Sequence, residues 1–317
     1  MHISTSVTAL LELVAAKSSP ETMVLPDHVL AAVEEGDNSA VVAWLDAGGD
    51  VNDTVVGHSH GFIEGDTMLM AVVEVESFTR AHIALAKLLL QRGADVNRRS
   101  MAQNVGDGFS VIHCCLDGIR NSEDPDRSLF RELLGIYMAA GADLTAKTSK
   151  GYAPLGMALE CNSWCGFDDT KRRSAFETVK LLLRHGASID ACRQEPDPTH
   201  YVGEFTVEAE EIMRRTEHQD RLRVMPHNLA ADEHFVACKA LVADMRAAGG
   251  TWKQYVLHLP KALLRLRSLV ARGRARSVKR LRARTPREIE LLLAPAFPNE
   301  LCWRVLEYWN PRAQCDC

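Results

Sequence analysis

Four segments of this chain close in nearly the same way: Gly48-Gly49-Asp50-Val51-Asn52, Gly93-Ala94-Asp95-Val96-Asn97, Gly141-Ala142-Asp143-Leu144 and Gly186-Ala187-Ser188-Ile189-Asp190. Each follows an apolar run of helical character: AVVAWLDA, LAKLLLQR, LLGIYMAA and VKLLLRH. Upstream of three of them stands a second motif, Thr67-Met68-Leu69-Met70-Ala71-Val72, then Ser110-Val111-Ile112-His113-Cys114-Cys115, then Ala153-Pro154-Leu155-Gly156-Met157-Ala158. Two motifs recurring in fixed order describe one small helical unit used several times. Such a unit cannot bury its apolar face alone, so copies must stack on one another.

The two motifs resemble the T-P-L-H-x-A and G-A-D-V-N signatures of the ankyrin-repeat family, over roughly residues 27–190. The resemblance implies an all-α ankyrin solenoid, helix-turn-helix repeats joined by short hairpin loops, with a C-terminal helical cap. The closing glycines stand 45, 48 and 45 residues apart, longer than the family's period of about 33. Dividing each period at its motifs puts the surplus into connections, where the entropy of loop closure grows only logarithmically with length. NSEDPDRS before Leu129 and CNSWCGFDDTKRRS before Ala175 are examples. The first unit is unexpanded, with Asp27 as N-cap and a Gly36-Asp37-Asn38 turn between its helices. A fifth, degenerate unit opens a helix at Thr206, places a second from Phe235 to Met245, and closes at Ala248-Gly249-Gly250; residues 191–204 read as a loop. The expected organisation is an N-terminal helical extension (1–26), a repeat domain (27–250, with units at about 27–64, 65–106, 107–149, 150–191 and 203–250) and a basic helical segment (251–317).

The 37 basic and 42 acidic residues give a net charge of −5, unevenly spread. Residues 246–317 carry 15 Lys/Arg against 5 Asp/Glu, or +10, which leaves −15 on the first 245. Within the tail, KALLRLRSLVAR places Leu263, Leu266, Leu269 and Val270 on one helical face that can dock on the last repeat. Arg265, Arg267, Arg272, Arg274, Arg276, Lys279 and Arg280 form a basic patch. Thr285-Pro286-Arg287-Glu288 starts a short helix through Leu293, and a last helix runs from Asn299 to Trp309. Three readings of this tail stay open. It is a cap over the exposed end of the array. It is a recruitment element, since Phe297-Pro298-Asn299-Glu300-Leu301 resembles the opening of an F-box and the elongin-binding box of some ubiquitin-ligase adaptors. Or its positive field binds nucleic acid, although aromatics are sparse there and no nucleic-acid motif is present.

A composition of 46% hydrophobic and 25% charged residues excludes a disordered or collagen-like chain. No run of eighteen apolar residues suits a membrane span, and Glu12 interrupts the apolar stretch at the N-terminus, which argues against a secretory signal. Nine irregularly spaced cysteines give no disulfide framework. An intracellular protein, cytoplasmic or nuclear, is expected. P-loop, dinucleotide, nucleophile-elbow and HExxH motifs are absent, so no catalytic residue, cofactor or metal is assigned. Cys161 and Cys165 have a C-x3-C spacing with Cys114 and Cys115 in the preceding repeat, a pattern a zinc site could use, but no His stands near them at ligand spacing and they read as core thiols. His58 and His60, which could bind metal, read as solvated loop residues, and Cys315 and Cys317 stay unassigned. The resemblance implies that His113 bonds neighbouring backbone.

What remains is recognition of a protein partner by a monomer. In the ankyrin family the hairpin tips and the outer face of each first helix form a groove. Here those are Thr54–Glu64, Arg98–Gly106 and Lys147–Tyr152, with Ala71, Glu74, Cys114, Asp117, Met157 and Glu160. Phe62, Tyr152 and Trp164, read as exposed aromatic anchors, and Arg98 and Arg99 beside them are the candidate partner-binding residues.

Overall fold

The computed structural model describes residues 24–56, 62–100, 108–121, 127–161, 168–196, 204–224, 226–274, 294 and 297–308. They are mostly helical, and the helices come in pairs: α1 (Asp27–Glu35) with α2 (Asn38–Asp46), α3 (Met68–Glu74) with α4 (Arg80–Gln91), α5 (Val111–Asn121) with α6 (Ser128–Ala139), α7 (Pro154–Cys161) with α8 (Asp169–Arg184), and α9 (Ala209–Arg221) with α10 (Glu233–Ala248). The partners of each pair touch, and α1, α3, α5, α7 and α9 each touch the next in that series. Leu30, Leu69, Leu89, Ile112, Leu134, Leu182 and Phe235 belong to one continuous buried cluster that runs through all five pairs.

Local chemistry sets the helix ends. Gly36 closes α1 in the left-handed region at φ 71°, and the Asp37 side chain then accepts from the Ser39 and Ala40 N–H groups to start α2. The helix α1 itself begins at Asp27, with Pro26 rather than Asp27 in the capping position.

The recurrent Gly-Ala-Asp-Val-Asn segment acts between units. Its Asp folds the turn: Asp95 Oδ1 accepts from Asn97 N–H at 2.9 Å. Its Asn reaches forward, so that Asn52 Oδ1 accepts from Asp95 N–H at 2.8 Å and Asn97 Oδ1 from Asp143 N–H at 2.7 Å, while Asn97 Nδ2 donates to Gly141 O. In the third copy Thr145 stands where the Asn would be and bonds only its own Asp143. Replacing Asn97 with alanine removes two exposed inter-unit hydrogen bonds and is expected to lower stability by about 1 kcal/mol, read as a fall in the urea midpoint at unchanged slope; no change would mean that these bonds merely replace bonds to water.

Three expectations need correction. The fold is not purely α: β1 (Arg193–Pro196) pairs antiparallel with β2 (Glu204–Val207), Arg193 opposite Val207 and Pro196 opposite Glu204. A hairpin therefore lies where a loop was expected, Thr206 belongs to its second strand, and α9 begins only at Ala209. Phe205-Thr206-Val207 has strand-forming side chains, and Pro196 sits at a strand end where its missing N–H costs little. Second, the stretch before Ala175 is not all loop, because Asp168 caps α8 and DTKRRS is helical. Arg172 on that added turn pairs with Asp232 and donates to His227 O at 3.1 Å, which ties α8 to the start of α10.

Third, α11 (Trp252–Ala271) docks on α8 and α10 through Trp252, Tyr255 and Val256, but Leu266 and Leu269 are 39% and 41% exposed. Twenty residues span about 30 Å, more than the roughly 24 Å of the sixteen-residue helices beneath. The far part of α11 instead uses Leu263 and Leu264 in a separate cluster with Phe297, Cys302 and Val305, the last two on α12 (Asn299–Tyr308). Most of the 1–26 extension and the helix expected from Thr285 lie outside the described residues. No helix among the described residues is long and apolar enough to cross a membrane.

Candidate functional site

The surface of interest is built from the hairpin fingers that precede the first helix of successive pairs. They share one backbone register. Val55 N–H donates to Asp66 O at 2.9 Å, Ser100 N–H to Phe109 O at 2.8 Å, Thr148 N–H to Tyr152 O at 3.0 Å and Cys192 N–H to Val207 O at 3.0 Å. The residue after each acceptor (Thr67, Ser110, Ala153, Glu208) immediately precedes α3, α5, α7 or α9. Val55, Ser100, Thr148 and Cys192 are all buried, so each finger is rooted at the same point.

How a finger is held depends on the helix below it. The ring of His113 accepts from Ser110 N–H at Nδ1 (3.2 Å), which leaves the Nε2–H to donate to Tyr152 O at 3.2 Å. Burial pushes the pKa of His113 down to about 4, so the ring is neutral at pH 7. It thus bonds the neighbouring finger, as the resemblance implied. Gly156 fills the corresponding place on α7, and a Cβ there would overlap the Cys192 carbonyl, whose oxygen accepts from Ala153 N–H at 2.9 Å. Glycine lets the main chain of the next finger come where the imidazole stands one unit earlier.

The expected contact residues fare unequally. Phe62 is not an exposed anchor: at 2% exposure it belongs to the central cluster. The finger carrying it folds back over α3, with Ile63 N–H donating to Glu74 at 3.4 Å. Ala71, Cys114 and Met157 are likewise buried rather than outward-facing. Tyr152 is half-buried; its hydroxyl donates to Glu160 at 3.0 Å, and the Arg193 guanidinium lies 4.1 Å from its ring centre. Arg99 is exposed and donates through Nε and Nη2 to Gly108 O, and Arg98 is half-exposed. Exposed Lys150 and Phe205 complete the outer face of the fingers, two residues that the sequence reading did not single out. Trp164, Cys165, His58, His60, Cys315, Cys317 and the side chain of Cys161 lie outside the described residues.

Residues 64–101 match the family model for the ankyrin repeat. The chain contains an ankyrin repeat. The matched stretch spans α3, α4, the second motif at Thr67 and the closing motif at Gly93. No curated protein matches the chain. An ankyrin repeat is a protein–protein interaction module, which places interest on surfaces rather than on a catalytic cleft.

The thiols agree with that emphasis. Cys114, Cys115, Cys192 and Cys238 are free and buried, and burial raises all four, Cys192 and Cys238 to about 12. Protonated thiols of this kind are poor nucleophiles.

On the tail of the ankyrin-repeat chain, Arg265, Arg272 and Arg274 are exposed. Arg267 departs from the expected patch, being 8% exposed with its guanidinium 5.9 Å from the ring of Phe297. Arg276, Lys279 and Arg280 lie outside the described residues.

Proposed function

We propose that this chain is a non-enzymatic, intracellular interaction module whose helix pairs form an ankyrin solenoid capped by α11, and that it grips a protein partner along the finger surface. The observation that carries the reading is the common register of the fingers. Each is rooted by a buried residue at the same position, and their outer faces present Arg98, Arg99, Lys150, Tyr152 and Phe205 along one edge. Loops rooted on a packed scaffold are suited to recognition. Arg99 and Lys150 are exposed on the two central fingers, whereas Glu64 and Glu204 are exposed on the outer two; the part of the partner that meets the centre is acidic, and binding weakens with salt.

Crosslinking of tagged full-length protein in cell lysate, read by mass spectrometry, tests this. One partner should crosslink at the fingers, and Arg99→Glu combined with Lys150→Glu should abolish its capture at unchanged thermal stability. Truncation after Gly250 should leave capture intact. Retention of the partner by the double variant would move the site off the fingers. The other two readings of the tail find less support, since Phe297, which opens the F-box-like segment, packs within the chain against Arg267 and Cys302, and one arginine of the basic patch is covered.

A further inference from the structure

The shared register allows one unit to be compared with another at the same place. Tyr152 stands two positions before the start of α7, and its hydroxyl donates to Glu160 near the end of that helix. Two units earlier the corresponding residues are Asp66, two positions before the start of α3, and Glu74 at its end. A donor facing an acid has become an acid facing an acid. Cys114 on the neighbouring helix α5 completes the group, and the ligand-capable atoms of Asp66, Glu74 and Cys114 all lie within 4.8 Å of one another.

The group is enclosed. Asp66 is 1% exposed, and neither of its buried carboxylate oxygens makes a hydrogen bond of good geometry. The Ser100 and Glu74 side chains lie close enough to offset the cost of burying it only in part. Glu74 is half-buried and takes a long hydrogen bond from Ile63 N–H. No lysine or arginine pairs with Asp66 or Glu74 among the described residues, and Asp117 adds further negative charge nearby. A buried pair of carboxylates with no cation beside it is costly, and a divalent cation removes that cost.

We propose that Asp66, Glu74 and Cys114 form a metal site, and that Zn2+ is its occupant. The donor set selects the ion: calcium and magnesium take oxygen ligands, whereas zinc accepts a thiolate and carboxylates together, at about 2.3 Å and about 2.0–2.2 Å. A tetrahedron of those radii holds its ligand atoms about 3–4 Å apart, which the observed grouping accommodates. Three protein ligands leave a fourth position for water, and Glu74 is the least buried of the three. The ligands bind as thiolate and carboxylates, and any proton they carry leaves to solvent as the metal bond forms.

The test uses full-length protein stripped with a chelator and titrated with Zn2+ or Co2+. Expected are one ion per chain and a thiolate-to-cobalt charge-transfer band with the strong visible absorption of four-coordinate cobalt. Asp66→Asn and Cys114→Ser should each weaken zinc binding by more than about 100-fold, and Cys114→Ser should also abolish the charge-transfer band. Cys238→Ser, a buried thiol elsewhere, should change neither. Circular dichroism of the stripped variants separates a lost site from a lost fold, with Cys114→Ala as a second variant should the serine not fold. Wild-type protein that binds zinc no more tightly than Asp66→Asn would overturn the proposal, and so would cobalt bound without a thiolate band. Retention of a single proton between Asp66 and Glu74 with no metal uptake would replace the ion by a shared hydrogen bond.

Discussion

Changing Gly156 to alanine is expected to destabilise the protein by about 3 kcal/mol, although the substitution favours a helix by its propensity. Glycine at a helical position costs roughly 1 kcal/mol relative to alanine, so α7 taken alone would gain. Against this, a Cβ at position 156 falls on the carbonyl of Cys192, and the obstacle is main chain, which no rotamer change can move aside. Relief requires the root of β1 to shift, which strains the packed surroundings and breaks the hydrogen bond from Ala153 N–H to Cys192 O. The same strand crowds Gly151, which lies at φ 79° and whose added Cβ would meet the carbonyl of Gln194. Equilibrium urea unfolding gives the number. A stabilised alanine variant would mean that the strand root is loose enough to yield, and the account of the fourth finger would then be wrong.

The second large effect belongs to His113. Its replacement by alanine leaves a void in a fully buried site and the Ser110 N–H without its acceptor, an expected loss of about 3 kcal/mol. Acid should act on the wild-type protein through the same ring. In the unfolded chain the imidazole titrates near 6.5, whereas burial lowers it to about 4 in the folded state, with Arg99 lowering it further and the Tyr152 carbonyl and Asp143 raising it. The unfolded state therefore takes up the proton first. The contribution is complete above pH 6.5 and falls away towards pH 4, by up to about 3 kcal/mol at 1.36 kcal/mol per pH unit. Stability curves at pH 7 and pH 4.5 in the presence of a chelator should differ strongly for the wild type and much less for His113→Ala. Equal acid sensitivity in both would assign the proton uptake to other groups.

The helix pairs and their closing turns were legible because they rest on periodicity and on glycines at positive φ, such as Gly93 and Gly141. The hairpin at 193–207 was not. Its first strand, Arg193-Gln194-Glu195-Pro196, carries no strand signal of its own; it forms because Gly151 and Ala153 supply main-chain partners from a segment some 40 residues away. Phe62 misled for a related reason, since a lone aromatic in a polar loop suits either solvent or a core, and only the folding of that finger over α3 decides between them. The acids Asp66 and Glu74 did leave a trace, visible when the chain is aligned with itself. Asp66 stands where Tyr152 stands later, and Glu74 where Glu160 stands. The contribution of Cys114 had no such trace, because it depends on how closely α3 and α5 approach.

The halt of the asparagine series at Thr145 divides the molecule by how its parts can be altered. Towards residue 52 neighbouring units are linked by amide side chains, and one codon change at a time can weaken or restore each link. Towards residue 192 main chain also meets main chain, with two glycines making room for it, and side chains of the strand such as Arg193 over Tyr152 add to that link. An engineer or a mutating lineage can therefore grade the coupling at one end in small steps, whereas at the other the main-chain part of it can only be kept or abolished.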